Sequence, residues 1–204
     1  MQSYQKLGSE FYNRANVLTI ATELIGKVLV TRFDGLLTVG RIVETEAYAG
    51  EKDMASHARH GLRTRRTEIM YSAGGRAYVY LCYGIHHLFN VVTNKKDIPH
   101  AILIRALEPM EGIDIMLKRT GKSSLDFTIT RGPGNVSKAM GILTRHSGLD
   151  LLGDQIFIAR DNFFLSKKDM LSTKRIGVDY AGKDAELPYR FILKNNRYVS
   201  MLKK

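Results

Sequence analysis

Apolar and polar positions alternate along the chain with two different periods. Between residues 9 and 25 the side chains of Phe11, Val17, Leu18, Ile20, Ala21, Leu24 and Ile25 recur at helical spacing, which predicts a helix from about Asn16 that ends at Gly26. Residues 27–33 read as a strand, Asp34-Gly35 supplies a two-residue hairpin turn, and residues 36–48 return as the antiparallel partner. Residues 51–76 are polar, basic and glycine-containing. They predict a long loop with one helical turn, and a loop of that length in a compact domain is usually functional or disordered. Strands are expected at 77–83, with a turn at Gly84, and at 88–93 and 101–107. Their short connections predict an antiparallel meander. Pro109 is expected to open a helix whose apolar face is Met110, Ile113, Met116 and Leu117, closed by Gly121. The Gly/Pro stretch from Arg131 reads as a loop entering a helix, and further strands are expected at 156–159, 175–178, 189–193 and 198–202. Together these elements predict one α+β domain over residues 1–204, a mixed, mainly antiparallel curved β-sheet with flanking helices.

Length and charge sharpen this picture. The 204 residues suffice for one well-packed domain and are short for two. Thirty-one Lys+Arg against 20 Asp+Glu leave a formal charge of +11, which favours nucleic acid as partner over an anionic membrane surface. The single cysteine, Cys82, permits no intrachain disulfide and fits a reducing compartment. It and the six histidines lack zinc-ligand spacing, so no metal site is expected. With no signal-like N-terminal pattern and no apolar run near the roughly 20 residues of a membrane span, a soluble cytoplasmic protein is expected.

The chemistry concentrates in Gly40-Arg-Ile-Val-Glu-Thr-Glu-Ala-Tyr-Ala-Gly50. Period-2 alternation puts Ile42, Glu44, Glu46 and Tyr48 on one face. On an arbitrary strand both glutamates would be solvated charges. Here apolar neighbours predict at least partial burial, and a buried carboxylate either finds a partner or is pushed toward its neutral form. A carboxylate so placed beside water is a general base, whereas a surface that only grips phosphate gains nothing from one. Arg105, alone in an apolar strand, needs a partner, and Glu46 is one that qualifies. Tyr80 and Tyr83 fall on opposite faces of their strand. Tyr83 stands at a hairpin tip, where an aromatic either folds back on its strand or acts as a wedge into a base stack. Arg59, Arg63, Arg65 and Arg66 suit phosphate contacts or a solvated loop.

Taken in order, these segments resemble one family, the alkyladenine (3-methyladenine) DNA glycosylases of the Aag type. The resemblance rests on Arg-Ile-Val-Glu-Thr-Glu-Ala-Tyr (41–48), Ser-His (56–57), Tyr-Val-Tyr-Leu-Cys-Tyr-Gly (78–84), Phe-Asn (89–90), Leu-Ile-Arg-Ala-Leu-Glu-Pro-Met-Glu-Gly (103–112), Arg-Gly-Pro-Gly (131–134) and Arg-Ile-Gly-Val-Asp-Tyr-Ala-Gly (175–182), covering roughly residues 8–200. It implies a monofunctional base-excision enzyme that flips a damaged purine out of duplex DNA and hydrolyses its N-glycosidic bond. The damaged purines implied are of the 3-methyladenine, 7-methylguanine, hypoxanthine and ethenoadenine class. Glu46 would activate the water, held also by Arg105 and the carbonyl of Ile176. Tyr48 and Tyr80 would stack on the base, His57 would hydrogen-bond it and Asn90 would lie at the pocket floor. Tyr83 would fill the vacated stack. No metal or other cofactor is implied, and double-stranded DNA carrying damaged purines is the expected partner of a monomer. The family's long N-terminal extension of animal enzymes is missing, which points to a bacterial, nucleoid-associated form. Departures fall at 64–68, Thr-Arg-Arg-Thr-Glu, and at Ile85. Two other classes fit the charge: a non-catalytic binding module for distorted or damaged DNA, and an RNA-binding or RNA-modifying protein.

Overall fold

Asp34 and Gly35 take positive φ of 53° and 73°, the geometry of a tight hairpin turn, and join β2 (Val28–Phe33) to β3 (Leu36–Tyr48) in antiparallel register with Phe33 opposite Leu36. The computed structural model describes residues 4–200. Preceding this hairpin are β1 (Gln5–Lys6), α1 (Ser9–Tyr12) and α2 (Val17–Leu24). The α2 helix starts where expected because the Asn16 side chain caps it, accepting from the backbone N–H groups of Leu18 and Thr19. Next come β4 (Ala77–Cys82), β5 (His86–Thr93), β6 (His100–Glu111), α3 (Ile113–Thr120), α4 (Pro133–Met140), β7 (Ile156–Arg160), β8 (Met170–Thr173) and β9 (Arg190–Leu193).

The strands form one sheet in the order β1-β7-β2-β3-β6-β5-β4, with β9 bridging β3 and β8. All of these pairings are antiparallel, as expected of an α+β fold with a mainly antiparallel sheet. The long strand β3 is its axis. β6 covers one edge of β3, while the other edge is shared by β2 (to Arg41) and then β9 (Glu44 to Glu46). The β3–β6 register shifts twice between Ile42 and Thr45, where β2 gives way to β9. Helix α2 packs on β3, with the Thr45 hydroxyl donating to the Ala21 carbonyl, and Tyr12, Ile20, Leu24, Ile42, Leu107 and Met116 fill the main core.

Four expectations need correction. Pro109 and Met110 lie in β6, and the helix begins only at Ile113 after Gly112. Proline is tolerated there because β5 pairs only with residues 100–103 of β6, so the missing N–H falls on a largely unpaired edge. Residues 175–178 are not a strand. Arg175 donates into Asp53 and the Ala47 carbonyl, the Ile176 N–H goes to Glu46, and Gly177 turns with φ +74°. The strand in this region is β8, five residues earlier, paired with β9. Residues 198–200 are irregular too, and the rest of the strand expected there lies outside the described residues. The loop at 51–76 holds three short 3-10 turns, at Gly50–Lys52, Arg59–Gly61 and Glu68–Tyr71, rather than one helical turn.

Candidate active site

Glu46 is fully buried at the junction of β3, β6 and β9 and is held by two hydrogen bonds and an ion pair. The Ile176 backbone N–H reaches Oε1 at 2.8 Å, Arg105 Nη1 approaches the same oxygen at 3.3 Å, and the Tyr48 hydroxyl donates to Oε2 at 2.8 Å. Ile176 therefore meets the carboxylate through its N–H. Burial and the adjacent Glu46 charge hold the Tyr48 phenol well above its ordinary pKa, which keeps it a donor.

Glu44, two residues earlier and also fully buried, is the counter-charge that fixes Arg105. Its Oε1 accepts from Arg105 Nε at 2.8 Å and from Arg190 Nε at 2.7 Å, and its Oε2 accepts from the Ser200 N–H at 2.8 Å. Burial alone would raise its pKa. Arg105 and Arg190, with the Ser200 hydrogen bond, outweigh burial and lower it. One guanidinium thus spans both glutamates, so the face shared by Glu44, Glu46 and Tyr48 survives the register shifts.

In front of Glu46 opens a cavity of about 310 Å³, within the roughly 300–1,000 Å³ of small-molecule sites. Tyr48, His57, Tyr80, Tyr83, Asn90, Arg105 and Ile176 all line it, so the structure gathers these expected site residues around one space. The ring faces are set by contact. His57 meets Tyr80 edge-on at 4.7 Å and 76°, and Tyr78 leans on Tyr80 at 5.4 Å and 34°. Behind Tyr48 the Arg175 guanidinium lies 4.9 Å from the ring, its charge neutralised by Asp53 at 2.5 and 2.8 Å. Asn90 is buried, its amide donating to the Tyr78 and Leu88 carbonyls, both at 3.2 Å.

Tyr78 also lines the cavity, though the sequence reading gave it no role of its own. Its hydroxyl lies 2.8 Å from His57 Nδ1, and burial pushes its pKa up to about 12. The available signal was its position two residues before Tyr80, on the same face of β4. Burial, then the charges of Arg66 and Arg59, lower the His57 pKa to about 4, so the ring is neutral near pH 7. A histidine that resists protonation when folded contributes no pH dependence above about 6.5 and makes the fold less stable as pH falls toward 4. An NMR titration of the His57 ring is expected to give a midpoint near 4. A midpoint at the ordinary histidine value would contradict this environment.

The four arginines of the loop divide. Arg65 and Arg66 are exposed, with Arg66 5.6 Å from the Tyr80 ring at the cavity mouth, and Arg59 stands 6.0 Å from the Tyr180 ring. Arg63 is committed to Glu68 at 2.6 and 2.8 Å and to Asp97 at 3.0 Å, so its charge is already answered within the protein. Tyr83 stands clear of the fold at the β4–β5 turn, 91% exposed with φ 50°. Among the described residues no three His, Cys, Asp or Glu side chains group to hold a metal ion, and no helix is long and apolar enough to cross a membrane.

The site thus joins a buried carboxylate to an aromatic cavity on an α+β scaffold, with the exposed Arg65 and Arg66 in the adjoining loop. The family profile for methylpurine-DNA glycosylase (MPG) matches residues 10–197. A protein of Desulfitobacterium hafniense (strain Y51) with the name "Putative 3-methyladenine DNA glycosylase" is 41% identical over 204 aligned residues, which cover 97% of this chain and 99% of that one. One with the same name from Chlamydia abortus (strain DSM 27085 / S26/3) is 45% identical over 188 residues, covering 92% and 97%. The chain belongs to the methylpurine-DNA glycosylase family.

Proposed function

We propose that the protein removes damaged purines from duplex DNA by monofunctional hydrolysis of the N-glycosidic bond, with Glu46 activating the water. The observation that carries this reading is the seat of Glu46: fully buried and aligned by Arg105, Ile176 and Tyr48, all three of which line the aromatic cavity. One lone pair on each carboxylate oxygen is occupied by a protein donor, Ile176 N–H on Oε1 and Tyr48 on Oε2, and Oε2 keeps one for a water that would attack the sugar carbon. The same negative charge stabilises the oxocarbenium character that develops there.

A base inside a duplex cannot reach the cavity, so the nucleotide must rotate out at a cost of a few kcal/mol. Tyr83 offsets part of that cost by filling the gap. Tyr48 and Tyr80 then hold the base between rings. Alkylation at N3 or N7 gives the purine a positive charge, which both weakens the glycosidic bond and strengthens its contact with tyrosine faces. The neutral ring of His57 adds no charge to repel a cationic base. Asn90, its amide nitrogen held by two carbonyls, would oppose the 2-amino group of an undamaged guanine by its bulk. The substrates that fit are alkylated purines first, with hypoxanthine and ethenoadenine as neutral members of the same set.

The test is release of free base from oligonucleotide duplexes carrying one defined lesion, followed by cleavage of the abasic strand with alkali. No base release from any lesion of the panel would leave only a DNA-binding module. The wedge has its own test. Tyr83→Ala is expected to leave thermal stability unchanged, because the side chain is 91% exposed. It should slow excision from a fully paired duplex roughly tenfold, on a stacking contribution of about 1–3 kcal/mol. Excision from a lesion in single-stranded DNA should change little. An equal loss on both substrates would refute a wedge.

A further inference from the structure

Next to the aromatic cavity lies a second one, framed by Arg119, Lys138, Arg145, His86 and His87, with Asp34 its one carboxylate. The two cavities meet across the first turn of α4, where Pro133 lines the first and Gly134 the second. We propose that this second cavity is a binding site for a phosphate-class oxyanion, filled by a backbone phosphodiester of the DNA duplex beside the wedge. The source assigned to the oxyanion rests on the DNA-directed reading above.

The donor set carries the argument. Unlike Arg63, none of Arg119, Lys138 and Arg145 forms a salt bridge among the described residues. Arg119 is nonetheless fixed, with Nη1 donating to Thr38 Oγ1 at 3.3 Å and to the Ala139 carbonyl at 3.2 Å. Two glycines make room. A Cβ on Gly141 would fall 2.7 Å from Arg119 Cζ, and one on Gly134 would fall 3.0 Å from His86 Nδ1. His87 Nδ1 accepts from the Thr144 N–H at 3.2 Å, which leaves Nε2 to carry the ring proton as a donor.

An independent observation points to a ligand. Ser137 lines this cavity and is 1% exposed, yet its hydroxyl has no hydrogen-bond partner among the described residues. A buried helical serine normally bonds a carbonyl one turn back, and an orphaned hydroxyl costs stability. Guanidinium, ammonium, imidazole N–H and hydroxyl together make a site rich in donors, with three cations against Asp34. A phosphate offers only acceptors and negative charge, which is the complement. Ile85, 71% exposed at the rim, belongs to the same hairpin tip as Tyr83, so a wedge seated in a duplex brings a flanking phosphate to this cavity.

The experiment compares wild type with Lys138→Gln/Arg145→Gln, two exposed side chains of which Lys138 donates to the Thr120 carbonyl at 3.2 Å, with the melting temperature followed as a check on the fold. Duplex affinity is measured across a salt series, and excision is measured at saturating enzyme. Removing one neutralised phosphate should make the slope of log K against log salt shallower by about 0.9 and weaken binding roughly tenfold near 0.1 M salt. Lesion and undamaged duplexes should be affected alike, with the saturated excision rate unchanged. Ser137→Ala should act in opposite directions on two readouts, raising the melting temperature of the free protein by a few degrees while weakening DNA binding. An unaltered salt slope in the double variant overturns the proposal. So does inorganic phosphate that binds the wild type at these residues without competing with duplex, because the oxyanion taken would then be free phosphate. If wild type binds duplex with the expected slope but releases no base, the glycosylase reading fails and the phosphate site stands.

Discussion

Glu46→Gln is expected to abolish base release while leaving DNA binding and folding intact. Glutamine keeps the size of the side chain and an oxygen that still accepts from the Ile176 N–H. Its amide turns toward the Tyr48 hydroxyl, which can rotate from donor to acceptor. Arg105 keeps its bond to Glu44, so no guanidinium is stranded. What disappears is the negative charge and the ability to take a proton from water. A general base contributes about 10²–10⁴-fold, and loss of the charge that opposes the developing oxocarbenium adds to this. Single-turnover release of 3-methyladenine from a defined duplex, with binding followed in parallel, measures both. Excision at the wild-type rate would remove Glu46 from the mechanism. Loss of binding in step with activity would make it a structural residue.

The second large effect is on stability. Glu44→Ala removes the shared acceptor of Arg105, Arg190 and the Ser200 N–H, leaving two buried guanidinium groups without it. Breaking a buried pair from one side costs about 3–5 kcal/mol. For a chain of this size that lowers the melting temperature by roughly 10 °C. The pH dependence has a definite sign. Because the folded pKa of Glu44 lies below the ordinary 4.5, its contribution is fully present above that value and is lost as pH falls through the lower, folded one. The gap between wild type and variant should therefore be constant near neutrality and close in acid. A melting temperature within about 2 °C of wild type at pH 7 would show that Arg105 is anchored without Glu44.

Turn chemistry made much of the fold readable. Asp34-Gly35, the Asn16 cap and Gly121 act within a few residues, and each lies where local sequence put it. The misreadings share a cause. Pro109 looks like the start of a helix unless the unpaired edge of β6 is known, and residues 175–178 look like a strand unless the distant acceptors Asp53 and Glu46 are known. In the site, Glu46, Tyr48, His57, Tyr80, Tyr83, Asn90, Arg105 and Ile176 were legible through an ordered set of motifs that resembles one family. Their contacts were not. The Glu44–Arg105 bond depends on compensating register shifts in two strands, and the His57–Tyr78 contact joins a loop to β4. Arg63 shows the limit of charge counting, since nothing local announces that Asp97 helps hold it.

The bonds around Glu44 and Glu46 close over long stretches of chain: 130 residues to Ile176, 146 to Arg190 and 156 to Ser200. A polypeptide emerging from the ribosome presents both glutamates early and the groups that align them only near the end. Contacts of such separation form late in folding. A chain missing the segment from 176 to 200 would therefore carry the basic loop and the Tyr83 hairpin tip without the groups that align Glu44 and Glu46. On the proposed role of Glu46, base release would therefore require the chain to be in place through Ser200.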